Sequence, residues 1–328
     1  MHLKRTPTVI QGLLVVATAV WAMPPAARGQ DHAPGDAAPP LYDTQADAAA
    51  DIAAAAARAR EDNKRVLLMF GFNECVWCHR LHDLFESDRD LKKTLLYEYE
   101  LVMVDNGRRP DGTMNNLAVS EKYGHPAKTH GGYPALVVLD GGGKMLKTQG
   151  TGEFEVGPAH DPKKVLAFLN EWKAPPAVAS AVMSGALQRA RAEGKKVFAY
   201  SSAPWCGWCH KLADYLKRPE IAAVMNREYV AVKIDVDRMT GGKDAAEKYL
   251  GAADKGFPFI AILDANGARL ADGNGAKGNI GFPVEDFEIE HFIQIVRKTA
   301  PKLTEEQIAV LRGGLGKPAM GAHGGPGR

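Results

Sequence analysis

The sequence Cys75-Val76-Trp77-Cys78-His79 occurs a second time, with one change, as Cys206-Gly207-Trp208-Cys209-His210. The residues upstream of the two motifs also correspond, because Lys64-Arg65-Val66 aligns with Lys195-Lys196-Val197 in the same register. A repeat over such a distance indicates two copies of one structural unit. Two units also account for the 328 residues, which exceed the usual size of a single domain.

Each copy has the same order of predicted elements: an Ala-rich helix, a strand, the cysteine pair, an amphipathic helix, a strand, a proline after an aromatic residue, a hairpin and a helix. In the first copy these segments are Ala46–Arg60, Val66–Phe70, His79–Phe85, Leu101–Val104, Tyr133-Pro134, Leu136–Leu139 and Pro162–Trp172. In the second copy they are Ala181–Ala192, Val197–Tyr200, His210–Leu216, Val230–Ile234, Phe257-Pro258, Phe259–Leu263 and Asp286–Lys298. This order predicts α/β units in which the cysteines lie where a strand gives way to a helix.

The N-terminal stretch has the pattern of a cleaved signal peptide. The basic pair Lys4-Arg5 precedes the apolar run Val9–Val20, and Ala27-Arg28-Gly29 fits a small-residue cleavage site before Gln30. No later apolar run is long enough to span a bilayer. We therefore expect a periplasmic or secreted protein without stable membrane insertion, in a compartment where disulfides persist.

Each half resembles a thioredoxin-fold domain, and the motifs Trp205-Cys206-Gly207-Trp208-Cys209 and Gly256-Phe257-Pro258 carry the resemblance most clearly. Within that superfamily the halves look most like bacterial secreted thioredoxin-like proteins of the thiol:disulfide interchange type, whose motif ends in Trp-Cys-His. The resemblance implies an α/β fold of two tandem thioredoxin-like domains, each a central mixed sheet flanked by helices. It also implies that Pro134 and Pro258 are cis-prolines that face the cysteines and position an extended substrate peptide.

The expected domain organisation follows from the repeat and the composition of its flanks. It comprises a signal peptide (1–29), a flexible linker (30–43), thioredoxin-like domain 1 (44–173), a linker (174–177), thioredoxin-like domain 2 (178–300), a C-terminal helix (301–312) and a disordered tail (313–328).

The leading cysteines, Cys75 and Cys206, are the predicted nucleophiles. A thiolate in the first turn of a helix is stabilised by unpaired backbone amides and by the helix dipole, so the pKa of each should fall below the free value of about 8.5. Cys78 and Cys209 lie within reach to attack a mixed disulfide, which makes them the resolving thiols. An inert pair of structural disulfides is the competing interpretation.

Both copies depart from the thioredoxin pattern at one position. Six residues before the leading cysteine, where thioredoxin has a buried acid, this chain has Met69 and Tyr200. His79 and His210 are the nearest alternative proton-handling groups, although a solvated helix residue is an equally simple interpretation.

The first motif also has Glu74 where the second has Trp205. A carboxylate beside a developing thiolate opposes ionisation, which predicts a higher pKa for Cys75 than for Cys206.

Two alternatives use the same residues differently. Cys-x-x-Cys-His is also the attachment signature of c-type haem, in which His79 and His210 would be ligands, but the motifs follow β-rich runs and haem-c domains are mostly helical. Copper binding or delivery would draw on the first motif together with nearby histidines, namely His82, His125 and His130, which have no equivalents in the second copy.

The overall expectation is a protein-disulfide oxidoreductase without a bound cofactor or metal, whose partners are protein thiol or disulfide substrates and an upstream redox protein. A formal net charge of +2 argues against a nucleic-acid partner. The direction of exchange, oxidase, reductase or isomerase, stays open, and a non-catalytic thioredoxin-fold binding module is a further alternative.

Overall fold

The computed structural model describes residues 40–252 and 254–316, together with residue 2. The helices and strands of these residues belong to one compact unit that begins at Leu41. Apart from residue 2, the predicted signal peptide lies outside the described residues, and so do residues 317–328 of the predicted tail. No helix of the described part is both long and apolar enough to cross a membrane.

The first half contains six helices and six strands within the described residues. Its helices are α1 (Ala48–Glu61), α2 (Val76–Ser87), α3 (Arg89–Glu98), α4 (Leu117–Lys122), α5 (Pro126–Thr129) and α6 (Pro162–Trp172). Its strands are β1 (Arg65–Gly71), β2 (Tyr99–Asp105), β3 (Ala135–Leu139), β4 (Met145–Gly150), β5 (Glu155–Val156) and β6 (Ala159–His160), and a 3-10 turn covers Thr151–Phe154.

The second half has the matching set of main elements. Its helices are α7 (Ala179–Glu193), α8 (Gly207–Lys217), α9 (Pro219–Glu228), α10 (Gly242–Ala245), α11 (Asp286–Thr299) and α12 (Glu305–Gly313), and a π-helical turn covers Ala246–Leu250. Its strands are β7 (Lys196–Ser202), β8 (Tyr229–Asp235), β9 (Ile260–Leu263), β10 (Arg269–Asp272), β11 (Asn274–Gly275) and β12 (Gly278–Asn279).

Two four-stranded mixed sheets of the same topology organise the halves. The first has the order β2-β1-β3-β4 and the second the order β8-β7-β9-β10. In the first sheet β1 is parallel to β2 and antiparallel to β3, and β3 is antiparallel to β4. The second sheet repeats this pattern, because β7 is parallel to β8 and antiparallel to β9, and β9 is antiparallel to β10. This confirms the predicted fold class of two thioredoxin-like domains.

The central strands β1 and β7 are covered on both faces, which explains why they are almost continuously apolar. In β1, Val66, Leu68 and Phe70 pack with α1, whereas Leu67 and Met69 pack with α2 and α6 on the other face. The second face also holds the first cysteine pair, so the site is built onto a central strand that is covered on both faces.

The predicted flexible linker 30–43 is wrong at its end. Tyr42 is fully buried in the core of the first domain, where it packs among the residues around Cys78. The predicted tail also starts too early, because α12 continues to Gly313 and Leu315 packs against the core of the second domain. In both places one apolar or aromatic side chain holds a segment whose composition is otherwise that of a loop.

Charged residues join the two domains. Arg238 lies in the turn after β8. Its guanidinium donates to the backbone carbonyls of Asp62 at 2.6 Å and Asn63 at 2.8 Å, and to the Glu98 carboxylate at 3.0 Å. Lys233 forms an ion pair with Asp62 beside it. Burial alone would raise the pKa of the Asp62 carboxyl, but the charge and hydrogen bond of Lys233 lower it overall.

Candidate active site

The leading cysteines are the N-cap residues of α2 and α8. The backbone N–H of Cys78 donates to Cys75 Sγ at 3.1 Å, and that of Cys209 donates to Cys206 Sγ at 3.2 Å. Their backbone conformations also agree, with φ −78° and ψ 99° at Cys75 and φ −84° and ψ 95° at Cys206. Both leading sulfurs therefore lie at the positive end of a helix, where a thiolate is stabilised.

Each pair is closed as a disulfide. Cys75 pairs with Cys78 and Cys206 pairs with Cys209, with Cα–Cα distances of 5.2 Å and 5.3 Å. All four cysteines are buried by the fold, and Cys78 and Cys209 lie deeper than their partners. The outer sulfur of each pair is thus the one that an incoming thiol or disulfide reaches first.

His79 and His210 brace the loop that leads into each motif. His79 Nε2 lies 2.6 Å from the carbonyl oxygen of Asn73, and His210 Nε2 lies 2.8 Å from that of Pro204. Because a carbonyl only accepts, Nε2 carries the proton in both rings. The structure therefore assigns each histidine a contact that the sequence analysis did not predict, while its proton-handling role stays a prediction.

The peptide bonds Tyr133-Pro134 and Phe257-Pro258 are cis. Thr151 Oγ1 donates to the carbonyl of Pro134 at 2.8 Å, and Asn279 Nδ2 donates to that of Pro258 at 2.9 Å. The aromatic ring before each proline contacts a ring of the cysteine loop: Phe72 meets Tyr133 at 5.3 Å, and Trp205 meets Phe257 at 5.8 Å between centroids. The structure thus brings the proline segments beside the cysteine loops.

Ser201 connects the second cysteine pair to its proline segment. Ser201 is fully buried, its Oγ accepts from the backbone N–H of Phe259 at 2.9 Å, and its carbonyl lies 3.9 Å from Cys209 Sγ. The neighbouring Tyr200, at the position of the thioredoxin acid, has a pKa raised first by burial. The second site therefore has neutral polar groups where thioredoxin has a carboxyl.

A tryptophan within each motif contacts aromatic residues from outside the motif. Trp77 meets His160 edge-on at 5.1 Å, and Arg80 lies 4.7 Å over its ring. His160 is buried with no hydrogen-bond partner at either ring nitrogen, and burial, followed by the charge of Arg80, lowers its pKa. In the second domain Phe282 stacks on Trp208 instead.

Asp237 links the second site to the first domain. Its carboxylate accepts from Trp205 Nε1 at 2.9 Å and from the Tyr97 hydroxyl at 3.1 Å. Burial first, then the hydrogen bond and charge of Asp237, raise the pKa of Tyr97 to about 12. A residue of α3 in domain 1 thus helps to hold the tryptophan that precedes Cys206, a connection that no local sequence pattern reveals.

The structure also bears on the metal and haem alternatives. Among the described residues, no group of three or more His, Cys, Asp or Glu side chains is arranged to hold a metal ion. His125 and His130 instead flank α5, where the Thr129 hydroxyl lies 2.8 Å from His130 Nδ1. Both motifs belong to mixed α/β domains, whereas haem-c domains are mostly helical, and this argues against the haem alternative.

Fold and site together define the class: this chain carries two thioredoxin-like domains, each with a Cys-x-x-Cys disulfide at the start of a helix. A family model described as "Thioredoxin-like" matches residues 47–141. A DsbH-type thioredoxin model, described as "Protein of unknown function, DUF255", matches residues 163–273, from the last helix of domain 1 into domain 2.

Three proteins similar to this chain are named as disulfide isomerases or as an oxidoreductase. Protein disulfide-isomerase erp38 of Neurospora crassa is 23% identical over 202 residues, which are 61% of this chain and 51% of that protein, so the chain spans about half of this curated relative. The solved disulphide isomerase from Xylella fastidiosa Temecula1 is 28% identical with a TM-score of 0.35, covering 41% of this chain and 98% of that one. A DsbH oxidoreductase structure is 22% identical with a TM-score of 0.28, covering 45% and 96%.

Proposed function

We propose that this chain is a thiol:disulfide oxidoreductase that exchanges disulfides with protein substrates through both Cys-x-x-Cys pairs. The observation that carries the proposal is the matched placement of Cys75 and Cys206, each an N-cap whose sulfur accepts an amide hydrogen bond and closes a disulfide with the deeper cysteine. Inert structural disulfides do not require this placement, whereas a nucleophilic thiolate does.

In the reducing direction the cycle starts from the dithiol. The thiolate of Cys75 or Cys206 attacks a substrate disulfide, forms a mixed disulfide and releases the first substrate thiolate, which takes a proton. Cys78 or Cys209 then loses its proton and attacks the leading sulfur, which releases the second substrate thiolate. Two electrons have passed to the substrate, and an upstream redox protein restores the dithiol; oxidation of substrates is the reverse sequence.

The surface around the pairs supports a protein substrate. Val76, Trp205 and Trp208 are 59%, 56% and 48% exposed although they are large and apolar. Exposed apolar side chains grouped at a reactive sulfur suit an unfolded or extended peptide segment. Substrate positioning by Pro134 and Pro258 is part of the proposal, and the contacts of their preceding rings with the cysteine loops support it.

The proposal includes a periplasmic or secreted location after removal of residues 1–29. The support is the sequence pattern of the N-terminal stretch, with its basic start, apolar run and small-residue cleavage site. An acid-quenched and alkylated sample from the native compartment reports the working state by mass: four free thiols indicate a reductase or isomerase, and none indicates either an oxidase or inert structural disulfides, which the insulin test below distinguishes.

The test is reduction of insulin by the full chain with dithiothreitol as electron donor. We expect the Cys75→Ser, Cys206→Ser double variant to fall to the uncatalysed rate and each single variant to keep the activity of the other site. Equal rates for the wild type and the double variant would identify a binding module, and a haem absorption band in the purified protein would overturn the proposal outright.

A further inference from the structure

The first domain holds a tyrosine hydroxyl that has no hydrogen-bond partner. Tyr42 is 0% exposed, it packs in the apolar cluster that contains Cys75 and Cys78, and its hydroxyl is among the buried polar atoms without a partner. A buried hydroxyl that makes no hydrogen bond loses its hydration without compensation. Such a group in a folded domain requires an explanation.

The hydroxyl shares its space with the sulfur of Cys78. Gly71, the last residue of β1, leaves this space open, because a Cβ built there would overlap the Tyr42 hydroxyl and lie 2.6 Å from Cys78 Sγ. Cys78 is itself 0% exposed. The glycine therefore admits the tyrosine to the inner side of the disulfide, where water does not reach.

Two backbone hydrogen bonds fix Tyr42 to the loop of the active site. Its N–H donates to Asn73 Oδ1 at 2.8 Å, and its carbonyl accepts from Asn73 Nδ2 at 3.0 Å. Asn73 lies two residues before Cys75, and its own carbonyl accepts from His79. The tyrosine is thus held by the same loop that carries the nucleophile.

The second domain has neither of these features. The parallel pairing of Gly71 with Asp105 corresponds to that of Ser202 with Asp235, so a serine replaces the glycine. Pro204 replaces Asn73 as the residue whose carbonyl accepts from the motif histidine, and a proline has no side-chain amide. The arrangement is a property of domain 1 alone.

The protonation state of Tyr42 decides what its hydroxyl offers. Burial, followed by the charge of Asp105, raises its pKa well above the ordinary value, so the hydroxyl keeps its proton and acts as a donor. Asp105 is the charged neighbour, and both its oxygens are engaged: it accepts from the N–H of Gly107 at 3.0 Å and from the Asn115 side chain. Disulfide sulfur is a weak acceptor and a thiolate is a strong one. The hydroxyl has no partner while the pair is a disulfide, and a thiolate at Cys78 would offer it a strong acceptor.

We propose that Tyr42 donates a hydrogen bond to Cys78 Sγ in the reduced domain and stabilises the thiolate of this resolving cysteine. The effect of this hydrogen bond on turnover rests on the proposed function, in which Cys78 resolves the mixed disulfide. Cys78 loses its proton to water or to the departing substrate thiolate, its sulfur bonds to Cys75 Sγ, and the mixed disulfide breaks, while Tyr42 keeps its own proton throughout. Met69, at the position of the thioredoxin acid, has no group for this task.

The test measures the pKa of Cys78 and needs no substrate. In the full chain with Cys75→Ser, Cys206→Ser and Cys209→Ser, Cys78 is the single thiol, and thiolate absorbance reports its ionisation against pH. Adding Tyr42→Phe removes only the hydroxyl, and the Cys78 pKa should rise by about one unit, the size of a hydrogen bond to a charged group.

Tyr123→Phe is the matched control. Tyr123 is another buried tyrosine of domain 1 whose hydroxyl has no partner, but it packs with Phe70 on the opposite face of the sheet. It should leave the Cys78 pKa unchanged. A Tyr42→Phe shift no larger than that of the control overturns the proposal, whereas inactivity toward insulin with the shift intact would count only against the proposed function.

Discussion

Glu74 should hold the pKa of Cys75 above that of Cys206, by an amount limited by the exposure of its carboxylate. The helix N-terminus should lower the pKa of both cysteines by the same amount. Both are N-caps with closely similar backbone conformations, and their sulfurs accept amide hydrogen bonds of 3.1 Å and 3.2 Å. Among the residues next to the leading cysteines in sequence, only the preceding one differs in charge, an exposed carboxylate in one motif and Trp205 in the other.

Exposure of Glu74 makes water the relevant medium. Two unit charges about 6 Å apart in water repel by ~0.7 kcal/mol. Since one pKa unit corresponds to about 1.4 kcal/mol, Glu74→Gln should lower the pKa of Cys75 by about half a unit. In 1 M salt, where screening acts over about 3 Å, most of this shift should vanish.

The assay is alkylation of the reduced protein against pH, with peptide mapping by mass spectrometry so that Cys75 and Cys206 are followed separately. Glu86→Gln is the control, because it removes the same charge from the last turn of α2, where Glu86 pairs with Lys92. A wild-type Cys75 that ionises at or below the pH of Cys206, or a Glu74→Gln variant that matches the control, would refute the reasoning.

Three further predictions concern stability and packing. Because burial and Arg80 make the folded His160 imidazole resist a proton that the unfolded chain accepts, domain 1 should lose stability as the pH falls below about 6.5. Urea unfolding at pH 7.5 and 5.5 should show this loss, and His160→Phe should remove it. Ser201→Ala should lower the free energy of unfolding, measured in urea, by about 1–3 kcal/mol, because it leaves the buried Phe259 N–H without its acceptor. A urea midpoint equal to that of the wild type would contradict this prediction. Asp237→Ala should change the fluorescence of Trp205, and a spectrum identical to the wild type would show that the carboxylate does not hold the ring.

Much of the fold could be predicted from the sequence because its elements have strong local signals. The helix predicted over Pro162–Trp172 has those bounds in the structure, and its N-cap Asp161 accepts from the N–H of Lys163. The helix α3 was missed because it is mostly polar and only Leu91 is fully covered. The helix α9 does have a local signal, namely a proline at its start and apolar residues at helical spacing.

The candidate site was predictable as far as its chemistry is local. A cysteine pair between a strand and a helix determines where the sulfurs lie, and the structure places them there. Tyr42 was assigned to a linker because its burial depends on the space left by Gly71, which lies far away in sequence. The contacts of Asp237 with Trp205 and Tyr97 depend on how the two domains meet, and residue spacing carries no information about that.

The shared carboxylate of Asp237 has a thermodynamic consequence. One of its hydrogen bonds comes from the residue before Cys206 and the other from the opposite domain, so the conformation of the second motif and the association of the domains are linked equilibria. Linkage is reciprocal for free energies. Any amount by which domain association favours the dithiol at Cys206 and Cys209 is the amount by which reduction of that pair strengthens the association of the domains.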